Sequence, residues 1–266
     1  MTSTTPHPTS PQTPTPMLEL RGVKKRFGDK IVLDGVDIPV TRGRSLVIIG
    51  GSGQGKSVTL KIAIGLMAPD AGQVFVDGQD VTNLPHNERA AHNARFGMLF
   101  QGAALFDSLT IWENVSFRLI NADGVPRKEA RERAVEALTR VGLAASVANL
   151  YPIELSGGMQ KRAGLARAVV AAPEIIFFDE PTTGLDPINA DVINDLIVEQ
   201  VKRLGCTAVS ITHDMASARK IGDEIAMLHK GKIVWRGEAS EIDHSGNPYV
   251  EQFVHGRADG PIKVEL

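Results

Sequence analysis

The chain has 266 residues, of which 42% are hydrophobic and 23% are charged. These proportions are typical of a globular protein and exclude a disordered, collagen-like or coiled-coil chain. The 29 basic residues are balanced by 31 acidic ones, for a formal net charge of −2. No overall positive field is therefore available to hold nucleic acid, and any anion site must be local.

The N-terminal segment, the apolar runs and the cysteine content indicate where in the cell the protein is expected to be. Residues 1–16 are rich in Pro and Thr and carry no Asp, Glu, Lys or Arg, so they are predicted to form a disordered tail. The chain has no run of about 18 apolar residues and no secretory signal, and its one cysteine, Cys206, suits a buried position in a reducing compartment. We expect a soluble, cytoplasmic protein.

The first third of the chain combines two kinds of strand. Runs rich in branched residues between Met17 and Val47 predict an antiparallel sheet. The unbroken apolar run 45–49 predicts a strand that is covered on both faces. A glycine cluster follows at 50–55, and the apolar residues in 58–66 then predict a buried helix. This order is a strand, a glycine loop and a helix.

The rest of the chain alternates between helical and strand signals. Residues 127–140 place Ala and Leu at helical spacing, which indicates a helical lobe over about residues 88–172. Strand-like runs at 174–178 and 206–212 are separated by a helical stretch, as in a parallel sheet. Residues 224–235 predict a hairpin.

The glycine loop carries the most specific motif of the sequence. GGSGQGKS at 50–57 matches G-x-x-x-x-G-K-[ST] at every fixed position. Its glycines let backbone N–H groups converge on phosphate oxygens, Lys56 adds a charge at the β and γ phosphates, and the Ser57 hydroxyl is suited to Mg²⁺. The residues predicted to contact the nucleotide here are Gly50, Gly51, Ser52, Gly53, Gln54, Gly55, Lys56, Ser57 and Val58.

A pair of carboxylates follows the apolar run 175–178. The carboxyl end of such a strand is the edge at which ligands of open α/β sheets bind. Asp179 is predicted to hold the Mg²⁺ shell, and Glu180 to polarise the water that attacks the γ-phosphate. Without the phosphate loop, the same pair would be an ordinary acidic turn.

A second glycine-rich element, LSGGMQ at 155–160, precedes another predicted helix. Its uncovered N–H groups and helix end form a second anion-binding surface. One nucleotide cannot readily satisfy both surfaces in one subunit if this element lies on a separate lobe. A two-fold dimer with nucleotide between the subunits is therefore predicted.

The ordered set of motifs resembles the ATP-binding subunit of ABC (ATP-binding cassette) transporters over about Leu18 to Gly237. The resemblance implies that Phe27 stacks on adenine, that Gln101 senses the γ-phosphate and ligates Mg²⁺, and that His213 contacts the γ-phosphate. It further implies that ATP is contacted across a homodimer by Ser156, Gly157, Gly158 and Gln160, and at the loop that crosses between subunits by Asp186.

Several runs are similar to Mla-type (maintenance of lipid asymmetry) phospholipid-transport ATPases. They are FQGAALFDSL at 100–109, GMQKR at 158–162, DEPTTGLDPI at 179–188, and FVHG with DGP near the C-terminus. This resemblance implies lipid cargo, substrate-binding lipid-transport proteins as further partners, and a place on the cytoplasmic face of the inner membrane. The permease subunits would dock near Gln101–Trp112, with Leu105, Phe106 and Leu109 in the contact.

We therefore expect a RecA-like P-loop NTPase core (α/β) with an antiparallel β subdomain and an inserted helical lobe, over residues 17–237, followed by a tail at 238–266. The expected activity is ATP hydrolysis, with Lys56, Gln101, Glu180 and His213 as catalytic residues and ATP and Mg²⁺ as cofactors. Two other functions remain open: the ATPase of an amino-acid or other small-solute importer, and a soluble ABC ATPase without a transport role.

Overall fold

The computed structural model describes residues 15–263, apart from the side chain of His86. The predicted disorder of residues 1–16 falls almost wholly outside this range. Within it, no helix is both long and apolar enough to cross a membrane. The described residues form ten strands: β1 Leu18–Phe27, β2 Lys30–Val40, β3 Ser45–Ile49, β4 Ala71–Val76, β5 Gln79–Asp80, β6 Phe96–Leu99, β7 Ile175–Asp179, β8 Thr207–Ile211, β9 Glu224–His229 and β10 Lys232–Glu238.

Eight α-helices accompany the strands in the described residues. They are α1 Lys56–Ala63, α2 His86–Asn93, α3 Ile111–Asn121, α4 Arg127–Arg140, α5 Gly157–Val169, α6 Pro187–Leu204, α7 Met215–Ile221 and α8 Pro248–Val254. Short 3₁₀ turns cover Ala145–Asn149, Pro152–Glu154 and Ala239–His244. Asp186 and Asp214 cap α6 and α7 by accepting bonds from backbone N–H groups of the first turn, as expected at a helix start.

The strands build two sheets. One is antiparallel in the order β2-β1-β4-β5, and the other has the order β10-β9-β3-β8-β7-β6. In the larger sheet β9, β3, β8, β7 and β6 run parallel, and β10 closes the hairpin with β9. The antiparallel subdomain and the hairpin confirm the sequence predictions.

Both faces of the larger sheet are buried, which explains the unbroken apolar runs. Along β3, Leu46 and Ile48 belong to the core shared with the antiparallel sheet and α1. Val47 and Ile49 belong to the core shared with α3–α7. Because side chains alternate between the faces of a strand, every position of β3 must be apolar or small.

Two boundaries differ from the sequence-based expectation. β6 lies inside the range 88–172 predicted to be helical, pairs in parallel with β7, and belongs to the larger sheet, so the lobe begins after this strand. The sequence predicts a tail at 238–266, yet this region holds a 3₁₀ turn and α8, with Ile242 and Val250 fully buried. These two side chains attach the C-terminal region to the same core as the helical lobe.

The order of the larger sheet assembles the site. β3, β8, β7 and β6 are consecutive neighbours and parallel, so their carboxyl ends share one edge. The phosphate loop follows β3, His213 follows β8, Asp179 and Glu180 end β7, and Gln101 follows β6. Four segments that are distant in sequence therefore meet at this edge.

Candidate functional site

The loop between β3 and α1 needs glycine at two positions. Gly50 has φ +149°, and a Cβ there would lie 2.3 Å from the carbonyl oxygen of Leu228. Gly55 has φ +103°, and its Cβ would lie 2.9 Å from a methyl carbon of Leu33. Any side chain at either position would push the loop off its neighbours, so these glycines set the curvature that turns N–H groups toward a phosphate.

Lys56 lies at the first turn of α1 with its ammonium folded over this loop. Its Nζ donates to the carbonyls of Gly50 at 2.7 Å and Gly51 at 3.0 Å, and it lies 3.9 Å from Oε1 of Glu180. Burial lowers the pKa of Lys56, and the charges of Glu180 and Asp179 oppose that shift. The cation is thus held where the phosphate groups of a nucleotide would lie.

Asp179 has an acceptor atom with no partner. Its Oδ1 is buried and forms no hydrogen bond, and the Ser57 hydroxyl lies next to the carboxylate. Burial, reinforced by Glu180, raises the pKa of Asp179. An orphaned buried carboxylate oxygen beside a hydroxyl fits a hydrated hard cation.

Acidic and imidazole side chains do not by themselves form a complete metal centre in residues 15–263. No group of three or more His, Cys, Asp or Glu side chains is placed there to hold an ion. Ser57 and Asp179 would therefore hold Mg²⁺ together with phosphate oxygens and water, which is how Mg²⁺ is usually bound in nucleotide sites.

Glu180 is buried and its backbone adopts φ +49°, a left-handed conformation that costs energy for a residue other than glycine. Three contacts hold it there. Its N–H donates to the carbonyl of Ile211 at 3.0 Å, the Thr183 hydroxyl donates to Oε2 at 3.2 Å, and Nδ1 of His213 lies 2.8 Å from the same oxygen. The carboxylate is therefore fixed in direction at the edge of the sheet.

Lys56, Glu180 and His213 line a cleft of about 840 Å³, whereas Asp179 and Gly50 are not among its lining residues. Ten of the residues predicted from sequence line it: Gly51, Ser52, Gly53, Gly55, Lys56, Ser57, Val58, Gln101, Glu180 and His213. Gln54 instead accepts a hydrogen bond from the N–H of Lys230 at 2.6 Å, which ties the loop to the β9–β10 turn. The cleft is large enough for a nucleotide.

Sequence reasoning did not identify two of the three apolar side chains of the cleft as site residues. Val32 of β2 and Phe253 of α8 line it, whereas Phe27 is not among the lining residues. Phe27 is 48% exposed at the end of β1, with Nζ of Lys25 5.7 Å from its ring centroid. No motif marks Val32. Phe253 begins the FVHG run that resembles Mla-type ATPases, but that resemblance implies no nucleotide contact for it. The adenine contact of Phe27 stays a prediction.

The second glycine element lies on the helical lobe and does not line this cleft. Ser156 caps α5 through a weak bond from the N–H of Met159 at 3.4 Å. A Cβ on Gly157 would meet no atom within 4 Å. One on Gly158 would lie 3.6 Å from Oδ1 of Asn189. Ser156–Gly158 are thus free of their own chain's nucleotide cleft.

Two other predicted contacts have partners within the chain. The Gln160 amide donates to the carbonyls of Pro152 at 2.9 Å and Leu155 at 3.3 Å, so it orders the turn before α5. Asp186 accepts from the backbone N–H groups of Ile188 and Asn189, both at 3.1 Å. Their predicted contacts with ATP stay predictions.

Comparison with known proteins identifies the family. The model of the family described as ABC transporter matches residues 33–183. The chain is a member of the ABC transporter family. Its fold is the RecA-like core with antiparallel subdomain and helical lobe of an ABC ATPase, and it is an ATPase.

Three curated relatives of this ABC ATPase match nearly its whole length. It is 41% identical to Protein TRIGALACTOSYLDIACYLGLYCEROL 3, chloroplastic, of Arabidopsis thaliana, over 93% of this chain and 76% of that protein. It is 38% identical to the Probable ribonucleotide transport ATP-binding protein mkl of Mycobacterium leprae (92% and 70%). It is 35% identical to the Intermembrane phospholipid transport system ATP-binding protein MlaF of Haemophilus influenzae, over 94% of both chains.

Two solved structures share the fold. The ATP-binding cassette MJ0796, in a dimeric post-hydrolysis state bound to ADP and Pi, is 33% identical with a TM-score of 0.77 and covers 84% of this chain and 99% of its own. The cbiO1 protein of Clostridium perfringens, part of the transporter complex cbiONQ, is 28% identical with a TM-score of 0.78 (91% and 96%). Both likenesses confirm the predicted fold.

Proposed function

We propose that this ABC ATPase hydrolyses ATP in the cleft at the carboxyl edge of the larger sheet. Lys56 neutralises the β and γ phosphates. Glu180 accepts a proton from a water that attacks the γ-phosphorus, the bond to the bridging oxygen breaks, and ADP leaves with that oxygen. His213 holds the Glu180 carboxylate and contacts the γ-phosphate. The observation that supports this most directly is the meeting of all three side chains in one cleft.

Ser57 and Asp179 are the proposed protein contacts of Mg²⁺. Ser57 and Gln101 line the cleft, and Asp179 directly precedes the lining residue Glu180. The metal would neutralise charge that develops on the phosphate oxygens. Ser57 would contribute its hydroxyl, and Asp179 its free Oδ1, which is buried without a partner. This role explains why a carboxylate is kept at a position where burial disfavours its charge.

A homodimer is the proposed assembly. Ser156–Gly158 do not line the cleft of their own chain, and the glycines leave N–H groups available for an anion. Ile188 lies nearby on α6 with 78% of its surface exposed, beside the Asn189 side chain that approaches Gly158. A second subunit would cover this surface and supply the missing cleft. The dimeric state of the MJ0796 cassette supports the arrangement.

The proposed docking surface for a permease is the segment after β6. Asn114 is fully buried and fixes this loop: its Oδ1 accepts from the N–H of Phe106 at 2.6 Å, and its Nδ2 donates to the carbonyls of Phe106 and Leu109, both at 3.0 Å. Phe106 remains 46% exposed, and its ring centroid lies 4.8 Å from that of Phe117, which is 39% exposed. An ordered loop with an exposed aromatic pair suits a partner surface.

The proposed cargo is phospholipid or a related lipid, moved between the inner and outer membranes of a bacterium, with this chain on the cytoplasmic face of the inner membrane. Substrate-binding lipid-transport proteins would be further partners. The supporting observation is the similarity to MlaF of Haemophilus influenzae over 94% of both chains. The similar protein of Arabidopsis thaliana is also named for a lipid, trigalactosyldiacylglycerol.

The cargo is tested by deleting this protein in the bacterium that carries it and restoring it as wild type or as Glu180→Gln. We expect the deletion to change outer-membrane phospholipid content and to raise detergent sensitivity, with only the wild-type chain restoring both to their original values. Uptake of labelled amino acids and of labelled ribonucleotides is measured in the same strains. Unchanged envelope lipids with lost uptake of either solute would assign the chain to an importer. Ribonucleotides are included because the similar mkl protein is named for ribonucleotide transport.

The docking surface is tested by co-purification from membranes. Phe106→Asp should release the chain from its permease while leaving MgADP affinity within about twofold, because Phe106 does not line the cleft. Ile153→Asp is the matched control, since Ile153 is 89% exposed elsewhere on the helical lobe. Release by both variants, or by neither, would remove the support for this surface.

A further inference from the structure

A buried lysine on α5 reaches the backbone of two catalytic segments. The side chain of Lys161 is 6% exposed. Its Nζ donates to the carbonyl of Gln101 and lies 3.4 Å from the carbonyl oxygen of Glu180. Among the described residues, no carboxylate lies within 4.0 Å of this ammonium. Burial lowers the pKa of Lys161, an effect that Asp179 and Glu180 oppose. The charge is thus held mainly by carbonyl groups, at a cost that a solvated helix lysine would avoid.

Two turns further along α5, Arg167 binds the same segment. Its Nη1 donates to the carbonyl of Ala104 and its Nη2 to that of Ala103, both at 2.6 Å. Burial lowers the pKa of this guanidinium as well. The two terminal nitrogens of the planar guanidinium are spaced to donate to two neighbouring acceptors. Here they bond to the carbonyl groups of consecutive residues.

The backbone that these cations hold is strained. Ala103 has φ +59° and Ala104 has φ +50°, which is the left-handed region that favours glycine. Such conformations persist where surrounding contacts over-determine them. Here the contacts come from α5, because Lys161 binds residue 101 and Arg167 binds residues 103 and 104. We call Gln101–Ala104 the sensor segment.

Between the two cations, α5 packs directly on the sensor segment. Gly164 leaves so little space that a Cβ there would lie 2.8 Å from Cδ1 of Leu99 and 3.2 Å from Cβ of Ala103. Lys161, Gly164 and Arg167 are spaced by three residues and share one face of the helix. The helix and the segment are therefore joined by close packing at Gly164 and by hydrogen bonds on both sides of that contact.

We propose that Lys161 and Arg167 are positioning residues that join the sensor segment to α5, so that Gln101 and Ser156–Gly158 move as one body. Nucleotide that draws Gln101 toward the cleft would then carry the N-terminus of α5 with it. Lys161 also extends the connection to the backbone of Glu180. This assignment uses the ATPase activity of the family and is independent of the proposed cargo.

The first experiment compares Lys161→Met, Lys161→Arg and the matched control Arg162→Met in the full chain, with its permease where turnover requires it. Arg162 is next to Lys161, and its one hydrogen bond among residues 15–263 goes to the Gly142 carbonyl in the lobe. We expect Lys161→Met to lower kcat about tenfold or more, as misplacement of a positioned group does. The Kd for MgADP should stay within about twofold, because Lys161 does not line the cleft. Lys161→Arg should keep at least about half of kcat, and Arg162→Met should keep nearly all.

The second experiment measures amide hydrogen exchange of the sensor segment with MgADP bound. The N–H of Ala103 donates to the carbonyl of Phe100 at 2.9 Å, a bond that should open more often in Lys161→Met and Arg167→Met and stay protected in Arg162→Met. If Lys161→Met does not fold, the same amide exchange is measured in Arg167→Lys. This variant keeps the positive charge but loses the pair of guanidinium N–H donors. Wild-type kcat and exchange in a folded Lys161→Met, or equal losses in Arg162→Met, would overturn the proposal.

Discussion

Nδ1 of His213 lies 2.8 Å from Oε2 of Glu180. This contact joins the residues that follow β8 and β7, which are neighbouring strands. The carboxylate also receives the Thr183 hydroxyl, and the backbone of Glu180 is left-handed. A carboxylate held from two sides before substrate arrives has little reorganisation left to undergo during reaction, which favours general-base chemistry.

Glu180→Gln should retain MgATP and lose turnover. The amide keeps the shape of the side chain but has no anionic oxygen to accept a proton, so we expect kcat to fall about 10²-fold or more. Steady-state phosphate release and ATP-dependent dimerisation by light scattering provide the measurements. Glu199→Gln, on the exposed face of α6, is the control. A Glu180→Gln chain that hydrolyses ATP at the wild-type rate would remove Glu180 from the mechanism.

Lys56→Ala should abolish nucleotide binding or turnover. The variant removes the ammonium that is held over the phosphate loop and leaves the β and γ oxygens uncompensated. We expect a loss of about 10²-fold in kcat/KM, measured beside Lys202→Ala, which changes an exposed lysine of α6. Near-normal ATPase activity of Lys56→Ala would contradict the assignment of this loop.

Asp179→Asn should stabilise the nucleotide-free protein at neutral pH. The pKa of Asp179 is raised by burial above its ordinary value of 3.8, so the folded state binds this proton more tightly than the unfolded state does. Stability contributed by the protonated form is therefore lost as pH rises from about 4 through the raised pKa. The amide avoids that loss, and the unfolding midpoint of Asp179→Asn should exceed that of wild type at pH 7.5.

Two comparisons make this result specific to Asp179. The advantage of the amide should shrink as pH falls toward 4, where wild type is also neutral at this position. MgADP should raise the midpoint of wild type more than that of Asp179→Asn, because the variant loses a metal contact. Asp259→Asn, an exposed change, should show neither effect. A lower midpoint for Asp179→Asn at every pH would disprove the prediction.

Phe253→Ala should raise the KM for ATP. Phe253 lines the cleft from α8, and loss of an aromatic contact worth about 0.5–1.5 kcal/mol would weaken binding about 2- to 12-fold. Phe253→Leu separates this contact from the packing of α8 against the core, because it keeps an apolar side chain. Phe27→Ala, assayed in parallel, tests the adenine contact implied by the family. Unchanged KM in Phe253→Ala with a folded α8 would limit Phe253 to packing.

The local parts of the site could be predicted from sequence. A strand, a glycine loop and a helix are consecutive in the chain, so the motif GGSGQGKS at 50–57 is enough to predict the local conformation of the loop. The same holds for Asp179 and Glu180 at the end of an apolar run. The distance between Glu180 and His213 depends on the order of β7 and β8 in the sheet, which only the assembled fold determines.

Other features of the fold and the site could not be predicted, because no sequence pattern indicates them. β6 is four residues long and lies between helices, so it resembles part of the helical lobe. Lys161 follows Gln160 on a helix with several charges and is expected to be solvated, whereas packing of α5 against β6 buries it. Phe253 reaches the cleft only because Ile242 and Val250 dock the C-terminal region on the core.

The position of β3 has a consequence for folding. Both of its neighbours, β8 and β9, come from the last quarter of the chain, so the strand that leads into the phosphate loop cannot pair until nearly the whole protein exists. At about 5–20 residues per second of synthesis, an apolar strand waits roughly ten to forty seconds with both edges open. Pairing across so many residues is slow and exposes the nascent chain to aggregation. Nucleotide-binding competence is therefore acquired late, and truncations before the end of β9 should yield chains that bind chaperones rather than ATP.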